Sequence, residues 1–165
     1  MKYYILVFYF FICSFLSFGQ ENKDEVQKKL NEIDLYRKEI DANKENYVEV
    51  YDTKPIKNVE LEERRWEAYV LKENAEKKLL LRIKYTEYAP KEIVNLNFYY
   101  KNGELVFGEY YRKLKQKNKK ATIYKAVFYF ENAILIHQKN NINLKLDLKT
   151  FLDEEKSIKR MFVLE

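Results

Sequence analysis

Few residues in this chain have the types and spacing to do chemistry. His137 is the single histidine and Cys13 the single cysteine. One imidazole without thiolates cannot build a common transition-metal site, which draws on several imidazole, thiolate or carboxylate ligands. As a general base it would need a nucleophile, and no serine or cysteine motif accompanies it. His137 therefore reads as a structural or partly exposed side chain. Acidic residues cluster twice, at Glu60, Glu62 and Glu63 and at Asp153, Glu154 and Glu155. Glycosidase-type chemistry holds two carboxyls about 5–10 Å apart in a cleft. The first cluster falls on a strand edge or loop and the second on a helix surface, so both read as solvated faces. Three glycines, one of them Gly19, leave no phosphate cradle. No nucleophile elbow, zincin helix or calcium loop occurs. The sequence assigns no catalytic, cofactor-binding or metal-binding residue, and no cofactor is expected.

Binding chemistry is better represented. From Arg112 to Lys120 six of nine residues are basic and none is acidic. Mutual repulsion makes such a run a mobile, solvated hairpin connection in the simplest reading. Its cations, Arg112, Lys113, Lys115, Lys117, Lys119 and Lys120, are also candidates for contact with an anionic surface. Nearby Tyr110, Tyr111 and Tyr124 resemble a stacking platform for nucleic acid, but tyrosines are ordinary in strands, and an exported chain rarely meets nucleic acid. An anionic envelope surface or an acidic protein fits better. Aromatic residues make up 16% of the chain, with fifteen tyrosines. Tyr69, Tyr99, Tyr110 and Tyr129, with Val106 and Ile136, fall on what pattern reads as the second face of a sheet. That face is too apolar to be freely solvated, and tyrosine joins large contact area to a polar tip.

The compartment follows from the first residues. Met1-Lys2 is a short basic start, Ile5 to Leu16 is almost unbroken apolar sequence, and Ser17-Phe18-Gly19 places small residues before Gln20. This is the pattern of a cleaved secretory signal over residues 1–19. The apolar run is shorter than the roughly 20 residues that a membrane span requires, and Ile12 before Cys13 disfavours lipid attachment there. Cleavage removes the only cysteine, and with it disulfides, thiolate metal sites and cysteine nucleophiles. It also removes Lys2 and no acid, so the formal charge of +5 falls by one, an ordinary value for solubility. Residues 20–165 then form one domain large enough to stand on its core alone.

The elements that must position these residues are mostly strands. Lys23 to Glu45 has apolar residues at helical spacing, Val26, Leu30, Ile33 and Ile40, and no glycine or proline. Tyr47 to Tyr51 alternates as a strand, with Lys54-Pro55 expected to break it. Trp66 to Leu71 is a second strand. A third carries Leu79, Leu81, Ile83 and Tyr85 on its buried face and ends at Ala89-Pro90. Asn102-Gly103 sits between two aromatic and β-branched runs, the strongest short-range hairpin signal. It pairs Tyr99 with Val106 and Phe98 with Phe107, and places Val94, Leu96, Phe98, Tyr100, Leu105 and Phe107 on the core face. Asn132-Ala133 repeats the arrangement thirty residues later with a looser turn, setting His137 opposite Phe128. Tyr124, Ala126, Phe128, Phe130 and Leu135 form its core face. A short strand and a helix from about Asp147 to Arg160 close the chain.

The doubled pattern Phe-Tyr-Tyr-Lys-Asn-Gly-Glu-Leu-Val-Phe (98–107) and Phe-Tyr-Phe-Glu-Asn-Ala-Ile-Leu-Ile-His (128–137) resembles uncharacterised small exported β-sheet proteins of Gram-negative bacteria. The resemblance covers roughly residues 60–140 and implies a short antiparallel sheet with two such hairpins and flanking helices. It is weaker to MORN-type hairpin repeats, which carry more copies and more glycine. Neither resemblance implies a function. The expectation is an α+β fold: an antiparallel meander sheet of about six or seven strands with an N-terminal and a C-terminal helix. The expected role is a non-catalytic binding or interaction protein in the periplasm or outside the cell, meeting a protein or anionic envelope partner, with no nucleic acid and no transmembrane segment after signal cleavage. A small envelope-associated hydrolase, using carboxylates that only the fold brings together, is the alternative from another class. A structural envelope component is a third.

Overall fold

A computed structural model describes residues 23–56, 64–73, 79–115, 121–140 and 146–162. The expected signal segment and the Glu60–Glu63 cluster lie outside them. The chain divides into two compact units, residues 1–36 and 37–165. Helix α1, residues 23–42, runs from the first unit into the second and is followed by a 3-10 turn, Lys44–Asn46. In the first unit Glu25 and Lys29 form the expected i,i+4 ion pair at 3.1 Å.

The second unit is an antiparallel seven-stranded meander whose strand order equals chain order. Its strands are β1 (Val48–Ile56), β2 (Arg64–Lys72), β3 (Leu80–Ala89), β4 (Glu92–Lys101), β5 (Glu104–Leu114), β6 (Thr122–Glu131) and β7 (Ile134–Asn140). Helix α2, Leu148–Phe162, starts beside Asp147, whose Oδ1 accepts the Thr150 N–H at 2.8 Å as an N-cap. The expected α+β meander between two helices is the fold observed. Lys54-Pro55 does not break β1, because β1 is an edge strand. One side of an edge strand needs no donor, so a proline is tolerated there.

The core lies between the sheet and α2. Trp66, Ala68, Val70, Ile83, Leu96, Phe98, Tyr100, Ala126, Phe128 and Phe130 pack with Phe151 and Ile158 of the helix. The Phe151 ring stacks on Phe128 at 4.2 Å between centroids and lies 5.4 Å from Phe98. Gly108 sits beneath it, and a methyl group there would overlap the ring. Asp153 and Glu154 are exposed as expected, but Glu155 is buried and accepts a hydrogen bond from the Tyr100 hydroxyl at 2.7 Å.

Three β-bulges revise the register that alternation predicts. In the first hairpin Lys101 faces Glu104 and Tyr100 faces Leu105, as expected, but Tyr99 then faces Phe107 and Phe98 faces Gly108. Val106 is the extra residue. In the second hairpin Ile136 holds the same place, so His137 faces Tyr129 rather than Phe128. In β3 the shift leaves Leu80 in the core and Leu79 exposed. Each bulge flips the parity of the residues beyond it in the strand. Phe107 therefore leaves the predicted core face for the opposite one, and Tyr110 makes the reverse exchange, facing Leu96 and Ala126. Both residues of each hairpin turn have positive φ: 54° and 84° at Asn102-Gly103, 50° and 61° at Asn132-Ala133. The second turn is thus as tight as the first, not looser.

Candidate binding face

The sheet face opposite α2 carries aromatic and charged side chains in cross-strand rows. One row is Glu49, Leu71, Arg82, Tyr99, Phe107, Tyr129 and His137; the next includes Tyr69, Lys84, Asn97, Glu109, Val127 and Lys139. Strand periodicity places these residues on one face; the bulges decide which aromatics join it.

The last turns of α1, from Arg37, pack on this face. The Arg37 guanidinium lies 3.4 Å from the Phe107 ring centroid and 5.2 Å from that of Tyr99, a cation–π contact. Ile40 is buried. Asp41 is the hub of a polar cluster. Its Oδ1 accepts from Arg82 Nη1 and lies 3.4 Å from Lys84 Nζ; its Oδ2 accepts from the Tyr99 hydroxyl at 2.9 Å. Arg82 Nη2 donates to Glu49 Oε1 at 3.0 Å. Arg82 is only 3% exposed, so its charge persists because two carboxylates compensate it. Burial alone would raise the Asp41 pKa, but hydrogen bonds from Tyr99 and Arg82 and the charges of Lys84 and Arg82 outweigh it, and the net shift is downward. Burial, with Asp41 nearby, pushes the Tyr99 hydroxyl up. Asp41, Lys44, Glu49, Tyr69, Arg82 and Lys84 line a pocket of about 330 Å³.

A second cluster lies further along the face. Glu109 accepts from Asn97 at 2.9 Å and is paired with Lys125. These partners and the charge of Arg37 draw its pKa below the usual value against the opposing effect of burial. At the far end Tyr88 donates to Glu67, and Arg65 lies over the Tyr88 ring.

Of the tyrosines singled out by sequence, Tyr69 is exposed on this face and Tyr129 is half-buried on it, 5.0 Å from Phe107 and 5.8 Å from His137 between ring centroids. Tyr99 is on the face but buried, and Tyr110 is on the other one. The basic run is only partly a loop. Arg112 and Lys113 belong to β5, and Arg112 Nη2 is held 2.6 Å from Glu92 Oε2. Lys115 follows the strand, exposed, its backbone N–H donating to Lys91 O at 2.7 Å. Lys117, Lys119 and Lys120 lie outside the described residues. His137 is exposed and does not line the pocket. Among the described residues no group of three or more His, Cys, Asp or Glu is placed to hold a metal ion, and no helix is long and apolar enough to cross a membrane.

Sequence reasoning missed Asp41, Lys44, Glu49, Arg82 and Lys84. The only signal available was the i,i+2 pair Arg82 and Lys84, which a strand places on one face. Asp41 is 41 residues from Arg82, and no local pattern joins them. No family model, curated protein or solved structure matches this chain.

Proposed function

We propose that this chain is an exported, non-catalytic binding protein that meets its partner with the sheet face opposite α2. The carrying observation is the asymmetry of the sheet. One face is closed by α2 over an apolar core, while the other presents Tyr69 and Ile123 exposed among ion-paired side chains, with Lys125, His137 and Lys139 also exposed. Aromatic area interleaved with satisfied charges is the composition of a recognition surface rather than of a core. Lys113 and Lys115 extend the same surface toward an anionic protein or envelope component. Export rests on the basic start, apolar run and small residues of positions 1–19.

The hydrolase alternative needs one of two neighbouring carboxyls held protonated near neutral pH. Asp41 and Glu49 do meet, on Arg82, but Asp41 is shifted the opposite way. Asp41 is thus not that acid, and the exposed aromatic area of the face is what favours binding.

The test is affinity capture from envelope fractions with the chain from Gln20. Wild type should retain a partner in stoichiometric amount, and Tyr69→Ala with Tyr129→Ala, or Lys113→Glu with Lys115→Glu, should lose it while melting as wild type does. Tyr99 is unsuited to this test because it is buried. A wild-type chain that stays monomeric and retains nothing stoichiometric overturns the proposal.

A further inference from the structure

We infer that the pocket between the end of α1 and strands β1 to β3 binds a small molecule through an oxyanion group, a carboxylate or a phosphate. The inference rests on the binding reading of this face and narrows it to a ligand chemistry. It comes from the hydrogen-bonding capacity that the lining leaves unspent. Asp41 is already engaged on both oxygens, with Arg82 and Lys84 on one and Tyr99 on the other. Glu49 has one oxygen committed to Arg82. Among the described residues Lys44 has no partner, and Lys84 makes only its 3.4 Å contact with Asp41. Arg82 forms the buried wall of the pocket and contributes charge rather than a free donor, because its unpartnered Nε is itself closed off from the pocket.

The spare groups are therefore nearly all donors: two ammoniums against one carboxylate oxygen. Counting charges around the lining, Arg82 and Lys84 offset Asp41 and Glu49, and Lys44 leaves one positive charge over. That excess matches a singly charged anion. A strongly charged polyanion would meet the free oxygen of Glu49 and be repelled. An ammonium ligand would find Asp41 already occupied. The volume, about 330 Å³, accommodates a metabolite-sized molecule, and Tyr69 supplies a wall for its uncharged part. Ammonium groups bind oxyanions by charge-assisted hydrogen bonds, the stronger kind.

The experiment is a titration of the full chain, followed by amide nitrogen–proton spectra, with sodium acetate in one arm and sodium phosphate in the other. Sodium chloride holds the ionic strength constant. At least one arm should give saturable shifts at Tyr69 and Lys84 that chloride alone does not. Saturation by acetate only assigns a carboxylate, by phosphate only a phosphate, and by both an oxyanion site without selection between them. Lys44→Gln and Lys84→Gln should each weaken the response about tenfold, the scale of a lost charge-assisted contact. Lys125→Gln, on the same face outside the pocket, should leave it unchanged. Shifts that never saturate, that chloride reproduces, or that saturate at undiminished affinity in the Lys44→Gln and Lys84→Gln variants overturn the inference. That failure leaves partner capture untouched as the test of the binding role, and a failed capture does not alter a saturable anion response.

Discussion

Asn102 and Asn132 open the two hairpin turns, and the residue after each separates a relaxed turn from a strained one. Gly103 takes a left-handed conformation at no steric cost, whereas Ala133 takes one at φ 61° with its Cβ opposed to the backbone. For an L-residue that conformation costs about 1–2 kcal/mol, partly offset because glycine loses more freedom on folding. Ala133→Gly should therefore stabilise the protein by about 0.5–1 kcal/mol, read as a higher urea midpoint at unchanged slope. An unchanged or lower midpoint would show that the turn carries no strain. The same local scale explains the aromatic exchange. Val106, one extra residue in β5, moves Phe107 under Arg37 and Tyr110 into the α2 layer.

At the scale of elements, the end of α1 is held to the sheet by Asp41, Arg37 and Ile40, and the Asp41 contribution depends on pH. The folded-state pKa of Asp41 lies below its ordinary value. Its stabilisation is therefore complete above the unfolded pKa, near 3.9, and is lost as pH falls through the lower folded value. Below about pH 4 the melting temperature of wild type should fall more steeply than that of Asp41→Asn, which has no carboxyl to protonate there. Glu109 is shifted in the same direction, so the difference between the two profiles isolates Asp41. Profiles that run parallel would contradict the assignment. Asp41 is partly exposed, so salt should shrink the difference.

At the scale of the molecule, the two sheet faces do different work. The α2 face is the main reservoir of stability, because Phe151 and Ile158 seal a layer of rings that includes Phe98 and Phe128. A chain ending at Asp147 would leave that layer in water, a contiguous apolar patch of the kind that drives association. It should elute as larger species and bind more of a hydrophobic dye than the intact chain. A monodisperse, dye-silent truncation would show that α2 is dispensable to the core. The opposite face is covered in part by the end of α1, over Leu71, Tyr99 and Phe107, and elsewhere carries ion pairs and half-exposed aromatics; exposed ion pairs contribute little to stability.

The antiparallel meander, both hairpins, α2 with its Asp147 start and the end of β3 before Pro90 were legible in the sequence. Each depends on interactions within a few residues, and turn chemistry and side-chain period report those directly. Face assignment beyond the bulges was not legible, because one unpaired residue reverses the alternation and nothing local distinguishes Val106 or Ile136 from its neighbours. The cluster at the pocket was not legible either. Asp41 and Glu49 reach Arg82 across 41 and 33 residues of chain, and burial of Glu155 against Tyr100 spans 55. Only tertiary structure pairs such distant charges, because packing of the apolar core brings their elements together, and pairing then offsets the cost of taking each charge out of water.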